Sequence, residues 1–220
     1  MTHHDSAGVE PKLPLSRERV LRAAVALADA RGLAAVTIRS LADSLGLKPM
    51  SLYHYVRGKD DVLHGMTDQV FAEIDLPDPS APWRDALRAR AVSARTVLSR
   101  HPWALTILDL QPATGAATLR HHDAVLGVLL RAGFSLRVTA RAYTLLDAYV
   151  YGFVLQEAVL PTDAGPPGDA AAATLDADRY PHLAAFAAGL VGQPGYSFGD
   201  EFEPVLDRVL DAIGALREDG

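Results

Sequence analysis

Apolar positions recur at the spacing of an α-helix through most of this 220-residue chain. They return every three or four residues, and the alternation of period two that marks a strand is not sustained over a useful length. Glycine and proline separate the apolar segments from one another. The predicted helices lie between Ser16 and Gly32, between Thr37 and Gly46, and near 49–55, 59–74, 83–100, 103–110, 114–132, 135–160, 178–190 and 200–217. We therefore expect an all-α fold.

The spacing of these helices divides the chain into parts of unequal size. Residues 1–14 contain no periodic pattern and are predicted to form a disordered tail. Three short helices make a compact domain over 15–62, and the longer helices make a larger bundle over 63–220. Within the bundle, the Pro- and Gly-rich stretch 161–174 is predicted to be a flexible loop.

Charge is distributed unevenly along the chain. The formal net charge is −6 in total, but residues 1–60 hold nine Lys and Arg against six Asp and Glu, which is a net of +3. Residues 61–220 then carry a net of −9, and all three lysines lie in the first part. A small basic module joined to an acidic one keeps nucleic acid among the expected partners of the first part, in spite of the negative total.

The second and third predicted helices form a helix–turn–helix candidate around Gly46. Apolar residues of both helices face the first helix, and they are Ile38, Leu41, Ala42, Leu45, Leu47, Leu52 and Val56. The residues that point away are Pro49, Met50, Ser51, Tyr53 and His54. A recognition helix reads the major groove with its N-terminal residues, so this surface is the one expected to contact bases. A plain three-helix bundle with a solvated face has the same spacing, which by itself leaves both interpretations open.

A longer match favours DNA binding. From Leu15 to Leu63 the chain resembles the DNA-binding domain of the tetracycline-repressor (TetR) family nearly end to end. The matching pieces are the Ala–Gly rhythm of the first helix, the motif T-x-R-x-L-A-x-x-L-G from Thr37 to Gly46, the segment S-L-Y-x-Y-V and Lys59. The resemblance implies a homodimer that carries two such motifs and binds a palindromic operator in double-stranded DNA.

Carried over position by position, the resemblance assigns DNA contacts to this domain. Arg39 would contact the DNA backbone or the edge of a flanking base, Lys59 would hold a phosphate, and Thr37 would mainly cap its helix. The residues expected in or beside the major groove are Lys48, Pro49, Met50, Ser51, Tyr53 and His54. Val56 stands where the family often has Phe, a departure that is expected to affect core packing only.

The larger bundle resembles the tetracycline-repressor subfamily itself at two helices. Residues 133–160 look like its long helix, and the segment FEPVLDRVLDAIGAL looks like its last helix. In that subfamily these helices pair with their copies in a second chain as a four-helix dimer interface. The apolar stripe that fits this role consists of Leu206, Val209, Leu210 and Ile213. The same stripe would also fit the chain's own core, and the sequence leaves both open.

The subfamily's site for a drug–magnesium complex is not matched. By position, its ligating His and Glu are Ile107 and Gln156 here, its Arg–Pro turn is Gln111–Pro112, and a further drug-contacting His is Asp75. These four departures predict a different ligand in a related scaffold.

Three polar residues recur on one face of the long helix. Tyr143, Asp147 and Tyr151 are four residues apart, so their side chains point the same way. Two phenols around a carboxylate are costly to bury without partners. They are predicted to bind the amine or hydroxyl of a ligand, to form a buried polar cluster, or to line the dimer seam. Lesser candidates for ligand contact are Trp103, Leu110, Gln111, Phe134, Gln156 and Phe186.

Catalytic and metal chemistry is not indicated. Cysteine is absent, so the chain has no thiol nucleophile and no sulfur-ligated zinc. Residues 195–199 match the G-x-S-x-G nucleophile elbow around Ser197, but no strand precedes them. The adjacent His121 and His122 project about 100° apart on a helix and make a poor metal pair. We expect no enzyme, no metal and no cofactor.

No signal peptide or membrane span is predicted either. Residues 1–14 contain no apolar run, and the most apolar long stretch, 142–160, is interrupted by Asp147, Gln156 and Glu157. The sequence thus predicts a cytoplasmic, homodimeric, DNA-binding transcription regulator, a repressor whose operator is released by a small-molecule effector bound in the larger domain. The alternative is a helical protein-interaction module without specific DNA binding.

Overall fold

A computed structural model describes residues 15–108, 115–159, 176–191 and 193–217. Helices occupy most of these ranges, and none of them contains a strand, so the prediction of an all-α fold is confirmed. The predicted tail 1–14 and the predicted loop 161–174 lie outside the described residues. The α-helices are α1 Arg17–Arg31, α2 Ile38–Leu45, α3 Pro49–Leu52, α4 Lys59–Glu73, α5 Trp83–Arg100, α6 Trp103–Leu108, α7 Ala116–Arg131, α8 Leu136–Val159, α9 Pro181–Phe186 and α10 Phe202–Leu216.

Local signals in the sequence place the ends of α2. The Thr37 hydroxyl accepts from the Ser40 amide at 3.0 Å, and the Ser40 hydroxyl accepts from the Thr37 amide at 3.0 Å, which is a complete capping box. At the other end Gly46 adopts the left-handed conformation, with φ of 68°, and closes the helix. Both ends therefore form where the sequence predicted them.

Helix α3 is shorter than the predicted 49–55. It ends at Leu52, after which the amides of Tyr53 and Tyr55 bond to carbonyls three residues back, at 3.3 and 2.8 Å. This tighter winding replaces α-helical geometry after one turn. It carries the chain to Val56, which is buried beside Leu52 in the core.

The chain divides into two compact units between Met66 and Thr67, inside α4, whereas the sequence placed the boundary at residue 62. In the N-terminal unit, α2 contacts both α1 and α3. The core residues are buried almost completely, and they are Val20, Leu21, Ala24, Ala28, Leu41, Ala42, Leu52, Val56, Val62 and Met66. This unit is a small three-helix domain followed by the first part of α4.

In the C-terminal unit, α8 is the central helix and contacts α5, α7 and α10. An ionic seam also joins α5 to α10. Arg84 pairs with Asp211 at 2.8 Å, and Arg88 pairs with Glu203 at 2.8 Å and with Asp207. The described part of the chain contains no helix that is both long and apolar enough to cross a membrane.

Helix α10 packs on the chain's own core with most of the residues that were predicted to form the dimer interface. Leu206, Leu210 and Ile213 are fully buried within the single chain, and Val209 is partly exposed. The assignment of the first three to a dimer interface is therefore wrong, because they already pack on the chain's own helices. The outer face of α10 is apolar as well, and it carries Val205, Val209, Ala212 and Leu216.

Candidate functional site

The turn between α2 and α3 presents a row of accessible side chains. Met50 is 75% exposed and Tyr53 is 50% exposed, although both are large and apolar. Leu52 and Val56, buried beneath them, hold α3 against the core of the N-terminal unit. Of the nine residues predicted to contact DNA, Ser51 is half-buried and the others are exposed: Thr37, Arg39, Lys48, Pro49, Met50, Tyr53, His54 and Lys59.

A clasp braces the segment that links α3 to α4. The Arg17 guanidinium donates two hydrogen bonds to the Asp61 carboxylate, at 2.7 and 2.8 Å, and a third to the Tyr55 carbonyl at 3.2 Å. Asp61 also accepts from the Arg57 amide at 2.8 Å. The hydrogen bonds from Arg17, together with its charge, hold the pKa of Asp61 below its ordinary value. The clasp therefore fixes the start of α4, where Lys59 lies.

In the C-terminal unit, Asp147 belongs to a buried polar cluster centred on Arg90. The Arg90 side chain is 1% exposed, and its Nη1 donates to Asp147 Oδ1 at 2.6 Å. Its Nε donates to His121 Nε2 at 2.7 Å, and the Tyr151 hydroxyl donates to Asp147 Oδ2 at 3.3 Å. Burial by itself lowers the pKa of Arg90, but the charge of Asp147 raises it overall, so the guanidinium stays charged.

The histidines of α7 are neutral members of this cluster. His121 Nε2 accepts from Arg90, and burial followed by the charge of Arg90 lowers the pKa of His121 to about 4. The Phe71 ring meets both His121 and His122 edge-on, at centroid distances of 6.0 and 6.3 Å. Tyr143 lies against His122 at 5.7 Å, and burial raises the pKa of its phenol. Tyr143, Asp147 and Tyr151 are thus brought together, as their spacing predicted.

The lesser ligand candidates have other surroundings. Trp103 is buried with its ring 6.0 Å from that of His101, and Phe134 is buried with its ring 5.3 Å from that of Trp83. Gln156 and Phe186 are exposed. Leu110 and Gln111 lie outside the described residues.

Comparison with known families agrees with this architecture. The sequence model for bacterial regulatory proteins of the tetR family matches residues 20–66, and the one for the tetracyclin repressor-like C-terminal domain matches residues 76–217, which is more than half of the chain. The chain belongs to the TetR family. It is a DNA-binding transcription regulator with a helix–turn–helix domain and a tetracycline repressor-like C-terminal domain.

Individual relatives point the same way. An HTH-type transcriptional regulator from Saccharopolyspora erythraea is 38% identical over 146 residues, which are 66% of this chain and 62% of that protein. The HTH-type transcriptional repressor DrrR1 from Streptomyces coeruleorubidus is 32% identical over 219 residues, 94% of this chain and 80% of DrrR1. Among solved structures, the TetR protein ActR from Streptomyces coelicolor, in complex with actinorhodin, has the same fold. Its TM-score is 0.76 at 24% identity, over 92% of this chain and 96% of ActR.

Gln156, which the resemblance aligns with the ligating Glu of the tetracycline repressors, is followed by a carboxylate that has its own partners. Glu157, the neighbour of Gln156, is bound by Arg95 at 2.5 and 3.1 Å and by the Ser99 hydroxyl at 3.1 Å. The Arg95 guanidinium also lies over two phenylalanine rings, at 5.1 and 4.9 Å from their centroids. The carboxylate is therefore occupied. The described residues include no group of three His, Asp or Glu side chains that could hold a metal ion.

The G-x-S-x-G segment packs on the same ion pair. Phe198 stacks on Phe153 at a centroid distance of 4.5 Å. A Cβ on Gly199 would lie 2.6 Å from the Arg95 guanidinium, so a larger residue there would have to displace the end of the Arg95 side chain. The spacing of the motif is thus explained by packing between the loop and α8.

Sequence reasoning missed Arg90 and the role of His121. A signal for Arg90 existed, since it stands among Leu87, Ala91 and Ala94, on the apolar face of a predicted helix. A cation in such a stripe, in the same unit as a carboxylate in another stripe, indicates a buried pair. His121 has no comparable signal, because its position on the buried face of α7 depends on the packing of Phe71.

We expect the Asp147→Ala variant to lose about 3–5 kcal/mol of unfolding free energy in urea denaturation, because Arg90 would be left charged and buried without its partner. The double variant Arg90→Met, Asp147→Leu should recover most of that loss, since it removes both charges. Asp211→Ala, which breaks an exposed pair with Arg84, is the matched control and should cost less than about 1 kcal/mol. Equal losses for Asp147→Ala and Asp211→Ala would contradict a central role of the buried pair.

The lowered pKa of His121, about 4, predicts a pH-dependent stability. In the unfolded chain a histidine titrates near 6.5, so between these values the unfolded state binds more protons and unfolding becomes easier as the pH falls. The stability that neutral His121 contributes is fully present above pH ~6.5. It is lost as the pH falls, and the loss reaches about 3 kcal/mol near the folded-state pKa. His121→Gln keeps an acceptor for Arg90 and should flatten stability between pH ~5 and ~6.5, as measured by urea titrations. His182→Gln, an exposed control, should leave the slope as it is, and an unchanged slope in His121→Gln would refute this assignment.

Proposed function

We propose that this chain is a repressor that binds a palindromic operator as a homodimer and leaves it when a small molecule enters the C-terminal unit. The observation that carries the proposal is the surface of α3. Exposed apolar and cationic side chains lie side by side there, and buried Leu52 and Val56 hold the helix in place beneath them. In the described part of the chain, Arg39, Lys48 and Lys59 form no ion pair, so their charges are available for phosphates.

The chemistry of the α3 surface suits a major groove. Met50 and Tyr53 offer apolar contacts of the kind that thymine methyl groups accept, and His54 offers ring nitrogens for base edges. Lys59 begins the 15-residue helix α4, whose first amides favour an anion. We assign base contacts to Lys48, Pro49, Met50, Ser51, Tyr53 and His54, and backbone contacts to Thr37, Arg39 and Lys59.

The proposed dimer uses the outer faces of α8 and α10. Along α8, exposed or half-exposed apolar residues follow the three–four spacing of a helix-pairing seam, and they are Leu145, Ala148, Gly152, Leu155 and Val159. On α10 the corresponding stripe is Val205, Val209, Ala212 and Leu216. The two helices are joined within the chain by Tyr149, whose hydroxyl donates to the Phe202 carbonyl at 2.6 Å. A second copy of the chain is the partner that would bury both stripes at once.

Gly152 supports this choice of partner. Glycine inside a helix is unfavourable relative to alanine, by about 1 kcal/mol. Among the described residues, nothing lies within 4 Å of the place where a Cβ on Gly152 would stand. A helix from another copy could approach α8 closely at this position, because glycine has no side chain, and this would offset the unfavourable helix propensity.

The effector is proposed to engage the buried cluster. Arg90 Nη2 and His121 Nδ1 are buried and find no hydrogen-bond partner among the described residues. Both can donate, so an effector with carbonyl, carboxylate or phenolic oxygens suits them. ActR, a relative in fold, is in complex with actinorhodin. We propose no catalytic activity and a cytoplasmic location, where the operator would be.

The DNA-binding proposal is tested by selecting ligands from random duplex DNA and measuring them by gel shift. We expect a palindrome to be enriched. Lys59→Ala should weaken binding to all sequences, because each subunit loses one phosphate contact, and should lower the salt slope by about one per subunit. Tyr53→Ala should alter the preferred sequence. Arg120→Ala removes a cation from the C-terminal unit and should change neither. A selection without an enriched palindrome would favour the protein-interaction alternative.

The dimer proposal is tested by placing a charge in the α8 seam. Nothing in the described part of the chain lies within 4 Å of a Cβ on Gly152, so we expect Gly152→Arg to fold, with two arginines facing each other across the seam. We expect a monomer in sedimentation or light scattering, with operator affinity lowered at least tenfold. Leu119→Arg changes a residue of α7 that is 55% exposed and should leave the dimer intact. A dimeric Gly152→Arg protein would exclude this seam.

A further inference from the structure

A cavity of about 330 Å³ lies in the C-terminal unit, where the start of α5 meets the ends of α7 and α10. Pro82, Trp83 and Val128 supply apolar walls. The charged side chains in its lining are Arg131 and Arg217, and no acidic residue stands among the described residues that line it. We call this cavity the arginine pocket.

The two arginines of this pocket differ from those of the neighbouring helix α5. All of the α5 arginines pair with carboxylates: Arg84, Arg88, Arg90, Arg95 and Arg100. Arg131 and Arg217 form no ion pair in the described part of the chain, although residues 61–220 carry a net charge of −9. Among the described residues, the pocket's charged lining is thus purely cationic, and two guanidinium groups in one cavity favour an anion between or beside them.

Both arginines lie close to glycines. A Cβ on Gly127, inside α7, would lie 2.9 Å from Arg131 Nη1, so an alanine there would shift the end of that side chain. Gly133 has φ of 86°, and its Cβ would lie in ordinary van der Waals contact with Arg217 Nη2, at 3.6 Å. The Arg131 guanidinium is thus the one that rests against a glycine.

Aromatic rings hold the other side of the pocket. Phe134, which is buried, packs edge-on against Trp83 at a centroid distance of 5.3 Å. The Arg217 guanidinium lies over the Phe134 ring at 5.7 Å. Arg217 is therefore placed by a cation–π contact, which leaves its N–H groups for a ligand. Phe134 acts here as a support for Trp83 and Arg217.

We propose that the arginine pocket binds a small organic carboxylate with an apolar body. A guanidinium matches a carboxylate with two parallel hydrogen bonds, and Trp83, Pro82 and Val128 would cover the apolar part. The volume is at the lower end of the range for small-molecule sites, roughly 300–1,000 Å³, so a single ring fits better than a polycyclic compound. The site is separate from the buried cluster and does not depend on the proposed operator binding.

Titration of the full chain with benzoate tests this proposal. Binding is followed by calorimetry and by the fluorescence of Trp83, with Trp83→Phe to identify the signal. We expect saturable binding that Arg131→Gln and Arg217→Gln each weaken about tenfold or more. Arg217→Lys, which keeps the charge but loses the fork, should fall in between. Arg120→Gln removes the same charge three turns earlier on α7 and should bind benzoate as the unmodified chain does.

Each other result would overturn the proposal. The absence of saturable benzoate binding would exclude a carboxylate site. An equal loss in Arg120→Gln would mean a general charge effect, and displacement by equimolar inorganic phosphate would mean that any anion suffices. Because Arg131 and Arg217 are exposed, the variants should keep the urea midpoint of the unmodified chain. A variant that unfolds earlier would instead assign its arginine to stability.

Discussion

The ion pair between Arg90 and Asp147 joins the two helices on which the C-terminal unit is built. A guanidinium that is almost fully buried is tolerated only where a carboxylate and further hydrogen bonds replace the water it has lost. Asp147 of α8 supplies the opposite charge and accepts from Arg90 Nη1, and His121 of α7 accepts from Arg90 Nε. One side chain of α5 thus connects three helices.

The same cluster contains polar atoms that are left without partners. Two of its polar atoms, Arg90 Nη2 and His121 Nδ1, lack partners within the described residues. Buried donors without acceptors carry a free-energy cost that a ligand or water with suitable oxygens removes. Helix α4 reaches this region as well, since Phe71 packs on both histidines of the cluster and Asp68 accepts from the Thr118 amide at 2.9 Å. A group that rearranges the cluster would therefore act on the surroundings of α4.

The N-terminal unit depends on simpler interactions. Its helices end at caps and glycines that the sequence reveals, and its core is small and apolar. Its one extended polar feature is the clasp between Arg17 and Asp61, which lies close to the surface and is worth at most about 1 kcal/mol. The clasp fixes the position of the segment between α3 and α4, which ends at Lys59.

Helix type and helix order could be predicted from the sequence, since both depend on periodicity and on local caps. The exposed face of α3 could be predicted too, because the anchors Leu52 and Val56 fix which residues of α3 face outwards. The inner face of α10 could not be predicted, because the helix carries two apolar stripes with the same helical spacing. One stripe contains Leu206 and the other contains Val205. Choosing between them requires knowing where α8 lies. The shortening of α3 was equally hidden, because it follows from the burial of Val56.

The sequence by itself determined the fold class, the family and the exposed face of α3, because these depend on spacing along the chain and on short-range contacts. Only the tertiary structure decided which charged residues are buried together. Tyr143, Asp147 and Tyr151 were visible as one face of a helix, but the other members of their cluster come from other helices. Arg90 bonds to Asp147, which is 57 residues away in the chain, and to His121, which is 31 residues away. Whether a polar group inside the bundle is satisfied, and whether an apolar stripe is core or interface, is a property of packing between helices, and no local pattern contains it.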